Sequence, residues 1–189
     1  MHSKLKIMAT KTWALDPTHS EVQFKIKHLM ITNVTGSFDM FTVSAQTEGE
    51  DFTKAKVSFT ADVNSISTNN EQRDGHLKSA DFFDVEKFPQ ISFEATKTEN
   101  VDSDGSYDLY GDLTIRDITK NVKLSVEFGG VVKDPYGNTK AGFTINGKIN
   151  RKDFGLTWSA VTEAGGVVVS DEVRIAAEIQ LIEQVAELV

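Results

Sequence analysis

Apolar and polar residues alternate with a period of two in one stretch of the chain after another, the pattern of half-buried β-strands. In segment 21–28, Val22, Phe24, Ile26 and His28 fall on one face and Glu21, Gln23, Lys25 and Lys27 on the other. In 54–64 the apolar face carries Ala55, Val57, Phe59, Ala61 and Val63. The same rhythm returns in Ile91, Phe93 and Ala95, in Tyr107 to Ile115, and in Val122 to Phe128. Two later runs complete it, Ala141 to Ile149 and Val173 to Leu181. Segment 34–45 makes an eighth strand, with a slip of phase: Val34, Gly36, Phe38 and Met40 share one parity, Phe41, Val43 and Ala45 the other. A β-bulge near Met40–Phe41 reconciles the two halves and helps a sheet curl.

The connections support the same reading. Asp102 to Gly105 and Asp134 to Asn138 carry the Gly and Asn residues that tight turns need for positive φ. Arg116 to Lys120 is expected to be a short turn. Residues 65–88 are long for a loop and predict a short helix around Asn70–Ser79, and 157–170, with Gly165–Gly166, predicts an irregular lid loop. Eight amphipathic strands in sequence order, with little helix, predict an all-β antiparallel barrel or a closed sandwich. One domain is expected over 12–182, preceded by a tail at 1–11.

Composition narrows the partners. The chain has 189 residues and a formal net charge of −8, and no Lys/Arg cluster exceeds scattered pairs such as Arg151–Lys152. Nucleic acid is therefore not an expected partner, nor is general adhesion to anionic membranes, although a local basic rim stays compatible with the charge. There are no cysteines, which excludes disulfides, thiolate metal sites and thiol nucleophiles. No run approaches the roughly 18 apolar residues of a membrane span. The segment Met1 to Met8 lacks the apolar stretch of a secretory signal. A cytoplasmic protein is the simplest expectation. The alternative is a periplasmic one whose signal has been replaced by these first residues.

Candidate chemistry is sparse. His19, His28 and His76 are far apart and share no metal-ligand spacing, so no metal site is expected. His19 and His76 read as hydrogen-bonded residues at strand and helix ends, and His28 as a satisfied interior histidine. Asp16, His19 and Ser20 lie too close along one strand entrance to form a triad, and no G-x-S-x-G elbow occurs. Acidic pairs such as Asp102 and Asp104 fall in predicted turns, and neither phosphate-binding glycine motif is present. No catalytic residue is assigned.

Several words of the sequence are more specific. They are Trp13-Ala-Leu-Asp-Pro-Thr-His-Ser20 with Val22-Gln-Phe24, and Asn33-Val-Thr-Gly-Ser-Phe38. Next come Asn64-Ser-Ile-Ser-Thr68, Arg73-Asp-Gly-His-Leu77, Asp81-Phe-Phe-Asp84 and Lys87-Phe-Pro89. Gly111-Asp-Leu-Thr-Ile115 with Thr119-Lys120, and Asn150-Arg-Lys-Asp-Phe-Gly155, follow in order. Together they resemble the YceI-like, polyisoprenoid-binding family from about residue 12 to about 181. The resemblance implies an extended, lipocalin-like eight-stranded antiparallel β-barrel. It further implies a cavity for a long-chain amphiphile, such as an isoprenoid quinone or polyprenyl lipid, no other cofactor, and pairing as a homodimer. Two departures stand out: many such proteins are exported, and Ser170 stands where the family usually has Gly near the start of the last strand.

Strand parity then predicts a cavity wall of Phe24, Ile26, Phe38, Phe59, Phe93, Leu113, Ile115 and Phe143. The other possibility is that these side chains fill a solid core. The polar mouth is expected around Arg73, Asp74, His76 and Arg151, with Arg73 and His76 facing a ligand head group or pinning the helix to the rim through Asp74 or Asp81. Trp13 and Trp158 are candidates to cap the barrel ends, Trp158 also for the lid. Non-catalytic lipid binding, storage or transport is the leading function. Its rivals are an enzyme acting on such a lipid, using His28 and an inward carboxylate, and a filled-core barrel that docks another protein.

Overall fold

Extended backbone dominates the computed structural model, which describes residues 9–160, 166 and 168–185. One antiparallel sheet contains β1 (Thr10–Leu15), β2 (Glu21–His28), β3 (Thr32–Phe38), β4 (Phe41–Glu48), β5 (Asp51–Asp62) and β6 (Ile66–Ser67). It continues through β7 (Gln90–Glu99), β8 (Tyr107–Ile115), β9 (Ile118–Lys133), β10 (Thr139–Asn150) and β11 (Val169–Gln184). A single α-helix among the described residues, α1 (Glu71–Lys78), lies between β6 and β7.

Six of these strands are halves of three bent ones. β1 and β2 are separated by a 3-10 turn at Pro17–His19, β3 and β4 by Asp39–Met40, and β5 and β6 by a 3-10 turn at Val63–Ser65. The halves keep their neighbours across each bend. β1 pairs with β11 through Leu15 and Leu181, and β2 takes over through Glu21 and Glu178. Likewise β1 pairs with β4 and β2 with β3, while β4 pairs with β5 and β3 with β6. The result is the expected eight antiparallel strands, closed into a barrel where β11 meets β1. Closure removes the long open edges that would otherwise recruit another strand.

Local sequence accounts for the bends and turns. Asp16 and Asp62 each precede a 3-10 turn and accept a backbone N–H two residues on, from Thr18 and Asn64. This local bond turns the chain out of the ladder for a few residues. The phase slip in the second strand falls at Asp39–Met40, beside the predicted bulge. Asn70 caps α1 by accepting from Arg73 N at 2.9 Å, and Ser79 ends it, so the helix occupies the predicted interval.

Three expectations change. The segment read as a tail to residue 11 enters the sheet at Thr10, because β1 pairs on both sides, with β4 and β11. The turn expected over Arg116 to Lys120 is only Arg116–Asp117: Ile115 already pairs with Ile118, and Arg116 takes a positive φ of 56°. Thr119 and Lys120 therefore belong to β9. Of the lid expected at 157–170, Val169 and Ser170 already belong to β11, at an irregularity in its pairing with β2, and 161–165 and 167 lie outside the described residues.

The corner at Asp16 holds the closure together. Its buried carboxylate accepts from Thr18 Oγ1, His19 Nδ1 and Lys140 Nζ, each at 2.8 Å, while its backbone N–H donates to Gln180 O at 2.9 Å. The bend is thereby tied to β11 and, beyond it, to β10. Lys140 above all, with His19 and Thr18, holds the Asp16 carboxyl well below its ordinary value against the opposing effect of burial. A depressed carboxyl contributes stability that is complete above its unfolded value of about 3.9 and is lost as pH falls toward the folded value. Asp16→Asn is expected to lower Tm at neutral pH, and the gap to the natural protein is expected to close as the melts are run at falling pH below about 5.

Candidate functional site

Inward-facing strand positions meet around an apolar cavity of about 430 Å³ instead of filling the barrel. That volume lies within the range of about 300–1,000 Å³ typical of small-molecule sites. The wall includes Phe24 and Ile26 on β2, Phe38 on β3, Phe59 on β5, Phe93 on β7, Leu113 and Ile115 on β8, and Phe143 on β10. Every residue that strand parity assigned to the wall reaches the cavity.

Glycines help to keep the interior open. Gly36 pairs across β2–β3 with Phe24, and a Cβ at Gly36 would collide with the tip of the Phe24 ring. Gly111 on β8 pairs with Ala95, and a Cβ there would likewise collide with the ring tip of Phe93, two residues along β7. Each ring therefore lies over the backbone of the adjacent strand, in space that any other residue would occupy.

Aromatic packing closes one end. The Phe52 ring lies 4.9 Å from both Trp13, tilted, and Phe143, edge-on, and Phe128 sits 5.4 Å from Phe143. Trp13, 1% exposed, donates its indole N–H to Thr47 Oγ1 at 2.9 Å, which satisfies the only polar atom of its side chain. Tyr107 also lines this part of the cavity, and burial pushes its phenol up to about 12, so it remains a neutral donor at ordinary pH.

The opposite end carries the polar groups. Arg73 on α1 donates from Nε to Thr68 Oγ1 and from Nη2 to Thr68 O, both at 2.8 Å. Asp74 accepts from Thr68 N and Oγ1, so it anchors the helix to the end of β6 and does not reach the cavity. Asp74 was expected at the mouth, in contact with the ligand or pinning the helix through Arg73; its short side chain is instead consumed by Thr68. Arg73 does line the cavity, and its Nη1 has no partner among the described residues. His76 bonds Asp81 at 2.9 Å, and its ring stands edge-on to Trp158 at 5.0 Å and to Phe82 at 5.1 Å. Trp13 and Trp158 thus occupy opposite ends of the barrel.

Arg151 lines the cavity at the same end, with its guanidinium held by the backbone. Only 2% exposed, it donates to Leu156 O, Trp158 O and Ser170 O at 2.6, 2.7 and 2.9 Å, and lies 3.6 Å from Asp171. Its guanidinium is committed to backbone carbonyls, which places it as the clasp joining 156–158 to the start of β11. His28, expected as a satisfied interior residue, is exposed at the rim, because β2 ends there. Among the described residues no Asp or Glu lines the cavity, and no cluster of His, Asp or Glu has the arrangement of a metal site. Thr68, not singled out beforehand, organises the mouth. The signal for it was its place at the end of the Asn64 to Thr68 word.

A closed antiparallel barrel around an apolar cavity, with polar groups gathered at one end, defines a lipocalin-like binding barrel. The YceI-like domain matches residues 13–181, and the chain belongs to that family. A UPF0312 protein of Staphylococcus aureus strain N315 is 41% identical over 167 residues, covering 87% of this chain and 94% of the relative. The YceI protein of Campylobacter jejuni superposes with a TM-score of 0.72 at 35% identity, over 90% of this chain and 97% of its own. BcnA of Burkholderia cenocepacia shares the fold at a TM-score of 0.75 and 20% identity, over 88% of this chain and 98% of its own.

Two substitutions test this anatomy. Arg151→Ala is expected to destabilise the protein by about 3 kcal/mol or more, since several buried carbonyls lose a charged donor. Arg151→Lys should recover little of it in urea melts, because an ammonium cannot span the same fork. Gly36→Ala should cost about 1–3 kcal/mol of overpacking and shrink the cavity by forcing the Phe24 ring inward, which a crystal structure of the variant would reveal.

Proposed function

We propose that the barrel binds and carries one long-chain isoprenoid lipid, with its chain along the cavity and its head group at the Arg73–His76 end. The apolar cavity, with its cationic and imidazole groups at one end among the described residues, is the observation that carries this reading. Each buried CH₂-sized group contributes roughly 0.8 kcal/mol, so a few isoprene units supply useful affinity after the ordering cost of association. The Nη1 of Arg73, without a partner among the described residues, suits an oxygen-bearing head such as a quinone carbonyl or a phosphate. A domain of the same fold from Saccharophagus degradans, described as polyisoprenoid-binding, supports the ligand class at a TM-score of 0.60 and 14% identity, over 91% of this chain and 98% of its own.

The role proposed is storage or transport without catalysis. An enzyme acting on the same lipid would need a general acid and base beside the chain. A filled-core docking barrel would need the interior that the 430 Å³ cavity occupies. Pairing into a homodimer belongs to the same proposal, and sedimentation velocity tests it.

Titration with a polyprenyl quinone, followed through quenching of Trp13 and Trp158, is expected to saturate at one quinone per chain. Phe59→Trp adds bulk to the wall and should lower that affinity about tenfold while leaving the melt cooperative. A variant that still takes up quinone like the natural protein would remove Phe59 from the site. Absence of saturable quenching in the natural protein would contradict quinone carriage itself.

A further inference from the structure

The turn joining β2 to β3 is built against the usual preferences. Leu29 and Met30 both take left-handed backbone, at φ of 53° and 60°, with Ile31 N donating to His28 O at 3.2 Å. Two consecutive positive-φ positions in a tight hairpin ordinarily take Asn and Gly, because a bulky side chain is strained there. Here they take Leu and Met, and Ile31 follows. All three project into solvent, 39%, 52% and 78% exposed.

Position and charge give this tip a direction. It stands at the polar end of the barrel: His28 and Lys27 line the cavity, and Leu29 N donates to Val168 O, whose residue lines it too. Residues 22–38 hold Lys25, Lys27 and His28 without a single Asp or Glu, in a chain whose net charge is −8. Neither lysine pairs with a carboxylate among the described residues, whereas the carboxylates at the start of β11 are taken, Asp171 by Arg151 and Lys152 and Glu172 by Arg174. The hairpin is thus an apolar point with a cationic shaft on an otherwise acidic molecule.

We infer that the 28–32 hairpin is a membrane-docking finger: Leu29, Met30 and Ile31 enter the interface of an anionic bilayer and Lys25 and Lys27 meet its headgroups, setting the cavity mouth on the lipid surface. An apolar tip flanked by cations is the combination that interfacial anchoring uses, and the overall negative charge prevents other faces from competing. Docking stands on the hairpin alone. That it serves to load the cavity rests on the lipid-carrier reading above.

The test uses the full chain and a variant carrying Leu29→Asn, Met30→Gly and Ile31→Thr. Asn and Gly suit the two left-handed positions, so the variant should fold at least as stably. Co-flotation is measured with vesicles of phosphatidylcholine and phosphatidylglycerol in equal parts, and with phosphatidylcholine alone. The natural protein should float with the anionic vesicles and the variant about tenfold less, reflecting loss of buried apolar tip area. Ile31→Asp, a single change, should weaken flotation in the same direction. Uptake of polyprenyl quinone from the vesicles should slow in parallel, while affinity for quinone presented in cyclodextrin stays unchanged.

Equal flotation of variant and natural protein, or no flotation of either, overturns the docking finger. So does a variant that changes only the oligomeric state, since the tip would then be a contact between copies. Failure of the natural protein to bind quinone from cyclodextrin overturns the carrier reading separately, because flotation does not depend on it.

Discussion

The architecture depends on β11 being long enough to hydrogen-bond both halves of a bent first strand. Thr12–Leu15 pair with its last residues and Glu21–His28 with its earlier ones. Between them the chain leaves the ladder for one 3-10 turn, and Asp16 holds that turn against Gln180 and Lys140. Without the bend the first strand could follow only one end of β11, and the sheet would stay open. Closure in turn defines an inside. Once eight antiparallel strands form a ring, the alternation of side chains commits every second residue to the interior.

What that interior becomes is decided by side-chain size and direction. The inward set is rich in Phe, yet the rings of Phe24 and Phe93 lie over Gly36 and Gly111 on adjacent strands. Four aromatic residues pack together at the far end, and the polar residues collect at the other through α1 and the Arg151 clasp. An apolar cavity with one chemically distinct end follows from this division of labour. A barrel packed solid would lose it, and a barrel with polar walls would hold water in its place.

Much of this was legible in the alternation of residues. Eight strands, their inward faces, the break beside Met40 and the helix between Asn70 and Ser79 all follow from local pattern and capping chemistry. β1 was missed because Thr10 to Leu15 is short and mixed, so its assignment depends on β4 and β11, which are distant in sequence. Arg151 and Asp74 were placed at the mouth without their partners, because residue type shows what a side chain can bond, not what it does bond. Their partners, the carbonyls of Leu156, Trp158 and Ser170 and the side chain of Thr68, come together only on folding. The hairpin tip was equally hidden: Leu29, Met30 and Ile31 fall between two predicted strands, and only the backbone shows that they turn outward.

The central claim is that this cavity exists to hold a lipid, and the most direct test is to ask what the protein carries. The natural chain would be purified without detergent, extracted with organic solvent, and the extract analysed by mass spectrometry against its protein content. The account predicts a prenyl quinone, polyprenyl phosphate or similar amphiphile approaching one molecule per chain. An extract free of such lipid, from protein that also fails to take up added quinone, would contradict it.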